Sequence, residues 1–149
     1  MNYKLFLSFW FPVILWVACI FWLSTGTFAA SNTSIIIEPI LRYLMPNISV
    51  REVHLIHEVI RKLSHVTVYF VLGLLLFRAF KSNSHDMKTR RWILCSLLAL
   101  ALFAVGDEFH QSFVSTRSAS LIDVGIDMLG GFFAQCSMLL RNRVYRIDS

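Results

Sequence analysis

The chain has 149 residues, a length that allows one domain and not comfortably two. Hydrophobic residues make up 56% and charged residues only 15%, whereas a typical soluble domain has roughly 25% charged residues. A soluble protein of this composition would expose large apolar patches, so the bilayer is the natural solvent. The net charge of +5 accompanies no basic stripe with interleaved aromatics, which argues against a nucleic-acid partner. We predict a single membrane domain over residues 1–149.

The first apolar run covers residues 5–23, which contain no charge. Such a run is long enough to cross the roughly 30 Å hydrocarbon core of a bilayer. A cleavable signal peptide is the alternative interpretation, but the apolar core of a signal peptide has only about 7–15 residues. The pattern therefore favours a retained first transmembrane helix.

Three further runs predict an all-α, polytopic bundle of about four transmembrane helices. Residues 63–80 and 121–140 are the second and fourth spans. The third run, residues 92–105, would measure about 21 Å as a helix, too short to cross alone. We expect this helix to continue through residues 106–111, which places the polar side chains of that stretch within or at the edge of the membrane.

The distribution of lysine and arginine predicts the orientation of the bundle. With the N-terminus inside, nine of the fourteen basic residues lie on the inner side and five on the outer side. This bias favours a multi-pass protein of the cell membrane with both termini in the cytoplasm.

The first outer segment combines a loop with a short helix. Residues 24–34 have the composition of a loop, and residues 35–45 are apolar enough for a short interfacial helix. Ser49 and Glu52 have the spacing of a capping box, which predicts that the second helix begins near Val50. A helix from there to residue 80 would measure about 46 Å, so it either projects beyond the bilayer or bends.

Ionisable residues gather at the outer ends of three predicted helices. They are Arg61, Lys62, His65 and Tyr69 on the second, Asp107, Glu108 and Gln111 on the third, Arg117 in the next connection, and Asp123 and Asp127 on the fourth. A carboxylate in hydrocarbon costs about 2.5–3.5 kcal/mol, so such groups face the bundle interior and pair. Gly130 and Gly131 would let a neighbouring backbone approach closely. We predict one ligand-binding or catalytic pocket between helices two, three and four; ion pairs that only fix helix register are the alternative.

Metal and cofactor binding are not indicated by the sequence. His65, Asp107, Glu108 and Asp127 have chemically suitable ligand atoms, but tight spacings such as HxxxH are absent. Three of the other histidines lie in polar, interfacial stretches, where we expect solvated side chains: His54, His57 and His110.

Three ordered motifs resemble the VanZ-like family and cover most of the chain. They are Arg61-Lys62-x-x-His65-x-x-x-Tyr69, then Asp107-Glu108-x-x-Gln111 followed by Arg117, then Asp123-x-x-x-Asp127-x-x-Gly130. The family usually has Pro-Gly before that arginine, where this chain has Ser115-Thr116. The resemblance implies a multi-pass membrane protein, the family being named for a member linked to teicoplanin resistance. It brings no settled catalytic mechanism.

Three hypotheses of function follow from the polar cluster and the resemblance. The first is binding or modification of a cell-envelope molecule, such as a glycopeptide or a lipid-linked wall precursor, contributing to antibiotic resistance. The second is a membrane-embedded hydrolase or transferase, with Glu108 or Asp107 as general base and His65 as general acid. The third is a non-catalytic structural partner whose polar cluster only assembles the helices.

Overall fold

The computed structural model describes residues 3–25, 30–82, 89–114 and 120–147. Within these ranges the chain is helical apart from short turns, and it contains no strand. The helices are α1 (Tyr3–Leu23), α2 (Ala30–Leu44), α3 (Val50–Ser82), α4 (Thr89–Gln111) and α5 (Leu121–Ile147). Of these described helices, α1, α3, α4 and α5 are long and apolar enough to cross a membrane. The predicted all-α bundle with four spans is confirmed.

Helix α4 continues past the apolar run, as the short third span predicted. It has 23 residues, which correspond to about 34 Å and suffice to cross the hydrocarbon core. The continuation carries Asp107, Glu108 and Gln111 into the bundle, where all three side chains are buried.

Helix α3 runs without interruption from Val50 to Ser82. The predicted capping box forms at its start: the backbone N–H of Ser49 donates to Glu52 at 2.8 Å, and the backbone N–H of Glu52 donates to the Ser49 hydroxyl at 3.3 Å. The helix has 33 residues and measures about 50 Å, some 20 Å more than the hydrocarbon core. Its N-terminal part therefore projects out of the bilayer.

Helix α2 is longer than the sequence predicted. Its first residues were expected to form a loop, but the helix begins at Ala30 and takes in the polar stretch before Ile35. Serine, threonine and asparagine are common where helices start, because their side chains accept hydrogen bonds from the unpaired N–H groups there. The loop prediction was wrong because this composition suits a helix start equally well. The helix packs against α3 and leaves Ile36, Ile40 and Leu44 exposed.

Helices α3 and α5 make the most extensive contact of the bundle. A Cβ atom added at Gly130 would collide with the backbone carbonyl oxygen of Val66, and one added at Gly73 would lie 2.8 Å from the Cβ of Ala134. The predicted close approach at Gly130 is therefore confirmed. It also sets Asp127, one turn before this contact on α5, beside the α3 turn that carries His65.

The middle of the bundle is an apolar core, formed by Leu72 and Leu76 of α3 with Leu100 and Ala104 of α4. Each of these side chains is at most 1% exposed. Helix α1 joins the core through Val13 and Ile20, and the indole N–H of its Trp16 donates to the carbonyl oxygen of Val68 at 3.0 Å. This hydrogen bond, near the polar residues of α3, fixes α1 alongside them.

Candidate functional site

The polar cluster is assembled in pairs, and the deepest pair joins α3 to α5. His65 Nδ1 lies 2.9 Å from Asp127 Oδ1, a distance at which the ring N–H donates to the carboxylate. Asp127 is fully buried, whereas the His65 side chain retains 15% exposure. The carboxylate therefore orients the imidazole and leaves its other nitrogen, Nε2, directed away from the pair. This is the arrangement by which proteins set the tautomer of a working histidine.

A second pair joins the same two helices one turn nearer the N-terminus of each. Arg61 Nη1 lies 3.4 Å from Asp123 Oδ2, and Arg61 Nη2 lies 3.8 Å from Glu58 Oε2. Both distances exceed the roughly 2.7–2.9 Å of a charge-assisted hydrogen bond. The guanidinium is thus held between two carboxylates and keeps N–H donors for a further acceptor.

Ser24, just after α1, connects that helix to α4. Its hydroxyl donates to Asp107 Oδ1, while the Gln111 amide donates to Asp107 Oδ2 at 3.0 Å and to the Ser24 oxygen at 3.3 Å. All three side chains are at most 4% exposed. Sequence reasoning did not include Ser24 in the site, although it is the first polar residue after the apolar run of α1.

Glu108 links the end of α4 to the start of α5. Its Oε2 accepts a hydrogen bond of 2.6 Å from the backbone N–H of Ser120. The Ser120 hydroxyl in turn accepts from the backbone N–H of Ile122 and so caps α5. The carboxylate is buried at the junction of the two helices, and it does not line a pocket.

A pocket of about 230 Å³ lies between α1, α2 and α3. Its wall has an aliphatic part (Ile20, Leu23, Ile37, Ile60, Val68) and a polar part (Ser24, Thr33, His57, Arg61, Ser64, His65, Tyr69). This pocket is therefore not between helices two, three and four, where the sequence predicted one. In that interface the side chains of Asp107, Gln111 and Asp127 are buried, and the cavity is formed by α3 with α1 and α2.

The ten residues predicted from the sequence divide into four groups. Arg61, His65 and Tyr69 line the pocket, and the Tyr69 hydroxyl is 3.4 Å from the carbonyl oxygen of Phe103. The carboxylates and Gln111 are buried behind them: Asp107, Glu108, Gln111, Asp123 and Asp127. Lys62 is exposed and does not line the pocket. Arg117, with Ser115 and Thr116, lies outside the described residues.

The other three histidines of the described residues have different environments. His54 is exposed, as expected. His57 lines the pocket, and its Nε2 lies 2.8 Å from the hydroxyl oxygen of Thr33 on α2. His110 packs edge-on against Phe21, with ring centroids 5.6 Å apart. The prediction of solvated side chains was wrong for His57 and His110, because the contacts come from α2 and α1, which the spacing within α3 and α4 does not reveal.

Several buried oxygen atoms of the cluster have no hydrogen-bond partner among the described residues. They are Glu108 Oε1, Gln111 Oε1 and Asp127 Oδ2, all of them acceptors. Within the same part of the chain, no three histidine, cysteine or acidic side chains are grouped closely enough to hold a metal ion. The donor groups, by contrast, face the pocket. The cluster thus presents basic and hydroxyl groups to the cavity and retains its carboxylates inside the bundle.

Four potential membrane-crossing helices, with a buried charge network and a pocket at one end, define a polytopic membrane protein. The sequence model of the VanZ/LLP1 family matches residues 9–141, which is most of the chain. The chain therefore belongs to the VanZ/LLP1 family, and the resemblance seen in its three motifs is confirmed. No curated protein and no solved structure matches it.

Proposed function

We propose that the protein binds a polar-headed amphiphile of the cell envelope in the pocket between α1, α2 and α3. The observation that carries the proposal is the composition of the wall, which is aliphatic on one part and hydrogen-bonding on the other. Such a wall suits a molecule that has both a chain and a headgroup. With both termini in the cytoplasm, as the basic residues favour, the pocket faces the outer leaflet of the cell membrane.

The size of the pocket narrows the choice between the two ligand types that the sequence suggested. Pockets for drug-sized ligands have roughly 300–1,000 Å³, whereas this one has about 230 Å³. That volume suits a headgroup or part of a chain and is too small to enclose a whole glycopeptide antibiotic. In this proposal a contribution to teicoplanin resistance, the role suggested by the family name, arises through an envelope lipid that the protein holds or modifies.

Filling the pocket tests the proposal. Ser64 lines the cavity, and its hydroxyl donates only to the Ile60 carbonyl of its own helix, so Ser64→Phe should occupy the cavity with little effect on the fold. Native mass spectrometry of the full chain in mixed envelope lipids should show a retained lipid that this variant loses by about tenfold. Val59→Phe is the matched control, since Val59 is exposed on the same helix and outside the lining.

Equal lipid retention by Ser64→Phe, Val59→Phe and the unsubstituted protein would refute a pocket ligand. The remaining hypothesis would then be the structural one, in which the charges only assemble the helices.

An acid–base enzyme is the second candidate, favoured by the His65–Asp127 pair. The carboxylate fixes the imidazole through Nδ1 while the ring lines the pocket, so Nε2 is placed to exchange a proton with a bound molecule. Glu108 and Asp107 support this candidate less directly, because neither lines the cavity.

Mass spectrometry of lipid-linked precursors and cell-wall fragments, with and without the protein, separates binding from chemistry. A new molecular species that disappears in His65→Gln and persists in His54→Gln would establish a reaction. An unchanged set of molecular species, with the lipid still retained by the protein, would indicate binding without a reaction.

A further inference from the structure

We propose that the pocket recognises the phosphate of an anionic lipid, with Arg61 as its principal contact. This inference rests on the proposed function, because it names the headgroup of the amphiphile bound in the same pocket.

The charge distribution around the pocket is the first argument. Among the described residues, its lining includes one arginine and two histidines, Arg61, His57 and His65, and no carboxylate. The acidic side chains of the cluster lie behind the lining, where Asp123 and Asp127 hold the basic groups from the α5 side. An anion entering the cavity therefore meets the basic groups first, and the buried carboxylates orient them.

The state of Arg61 is the second argument. Its two ion pairs are long, 3.4 Å to Asp123 and 3.8 Å to Glu58, and its side chain is 32% exposed. A guanidinium has five N–H donors in a planar fork, a geometry that matches two oxygens of a phosphate. The unused donors of Arg61 suit a tetrahedral oxyanion, and the ring of His57 on the same wall can contact another of its oxygens.

Depth in the bilayer is the third argument. Arg61 lies 19 positions before Phe80, the last residue of the apolar run on α3. That separation corresponds to about 28 Å along a helix, close to the roughly 30 Å thickness of the hydrocarbon core. Arg61 is thus level with the boundary between hydrocarbon and headgroups, the depth at which lipid phosphates lie.

A path for the lipid chain is the fourth argument. A shallower groove shares Ile60, Ser64 and Val68 with the pocket and continues over Leu63 and Thr67 on the surface of α3. The groove runs from the level of Arg61 toward the apolar part of the helix. A lipid with its phosphate at Arg61 can lay a chain in this groove without entering the closed interface with α5.

A lipid series with identical chains tests the headgroup on the unsubstituted protein. Isothermal titration calorimetry of the detergent-purified full chain would compare dioctanoyl phosphatidic acid, dioctanoyl phosphatidylcholine and dioctanoylglycerol. We expect the phosphatidic acid to bind about tenfold or more tightly than the phosphate-free lipid, as charge-assisted hydrogen bonds to phosphate predict, with phosphatidylcholine between them.

Arg61→Gln should remove the preference for phosphatidic acid over dioctanoylglycerol while leaving binding of the latter unchanged. Arg51→Gln is the matched control, because Arg51 is an exposed cation on the same helix and outside the pocket; it should retain the full preference. If Arg61→Gln unfolds, the lipid series still tests phosphate recognition, because it uses the unsubstituted protein.

The outcomes separate the headgroup inference from the proposed function. Equal affinities for the three lipids, all lost in Ser64→Phe, would overturn phosphate recognition and leave the pocket as a lipid site. No binding of any lipid would refute both. Displacement of phosphatidic acid by inorganic phosphate at concentrations below those of the lipid would assign the site to the free ion and overturn the lipid part of the inference.

Discussion

The two halves of the bundle bury different chemistry between the same helices. In the middle, Leu72, Leu76 and Leu100 pack as an apolar core. At one end, α3, α4 and α5 bury a polar cluster that includes the His65–Asp127 pair. The two regions contribute to the fold in different ways.

The apolar core and the polar cluster contribute differently because the solvent around the helices is lipid. Lipid chains are as apolar as leucine, so burying leucine between transmembrane helices gains packing and no hydrophobic free energy. A carboxyl group, by contrast, is far less stable in hydrocarbon than beside its partner. The apolar core therefore tolerates alternative helix arrangements, and the polar cluster determines which helices are neighbours and in which register.

Removing one member of the deepest pair should have the largest effect. His65→Leu leaves the fully buried Asp127 carboxyl without its partner, and the free energy of unfolding should fall by about 3–5 kcal/mol. The measurement is denaturation of the detergent-solubilised protein with increasing SDS. Adding Asp127→Leu should recover most of the loss, because the pair is then replaced by apolar side chains. A double variant as unstable as the single one would contradict this account of the polar cluster.

Close packing of α3 against α5, beside the polar cluster, should give the next largest effect. Gly130→Ala forces a methyl group against the Val66 carbonyl, so α3 and α5 must separate and stability should fall by about 1–3 kcal/mol. Gly125→Ala on the same helix is the control, since nothing lies within 4 Å of the added Cβ, and its stability should not decrease. Equal stability of the two variants in SDS would show that the contact of Gly130 with Val66 does not limit how closely α3 and α5 pack.

The connection of α1 to the polar cluster should be weaker. Ser24→Ala removes a hydrogen bond to Asp107 and one from Gln111, at a cost of about 1–2 kcal/mol. Thr25→Ala, whose hydroxyl donates only to the nearby Trp22 carbonyl, should change stability by less than about 0.5 kcal/mol. The same SDS titration compares them, and a Ser24 variant no less stable than the Thr25 variant would exclude α1 from the network.

The smallest effect is expected outside both halves, on α2. Arg42 and Glu38 form an exposed i,i+4 ion pair at 2.8 Å, and such pairs contribute about 0.2–0.5 kcal/mol. Arg42→Gln should therefore leave the unfolding midpoint nearly unchanged, and less changed still in 0.5 M salt. A loss of stability comparable to that of Ser24→Ala would mean that this pair stabilises α2 more than an exposed ion pair should.

The sequence predicted those features that depend on neighbouring residues. The extension of α4 followed from an apolar run too short to cross a bilayer, and the start of α3 followed from the Ser49–Glu52 spacing. The same logic identified one face of α3, because Arg61, His65 and Tyr69 are four residues apart.

Features that depend on distant segments could not be predicted in this way. Spacing within a helix shows that Arg61 and His65 share a face, but it does not show that this face borders both a buried interface with α5 and a cavity beside α1. Ser24 and His57 were missed for the same reason, since their roles arise from contacts with α4 and α2. The position of the pocket required the packing of α1 and α2 to be known.

The α3–α5 pairing also has a consequence for how the protein is made. His65 and Asp127 are 62 positions apart. Because chains grow at about 5–20 residues per second, Asp127 is synthesised about 3–12 seconds after His65. During that interval α3 has reached the translocon but α5 has not been synthesised, so the close contact of Gly73 with α5 cannot form. Release of α3 into lipid before α5 emerges would expose these groups to hydrocarbon. We therefore expect correct assembly to depend on α3 being retained at the translocon until α5 arrives.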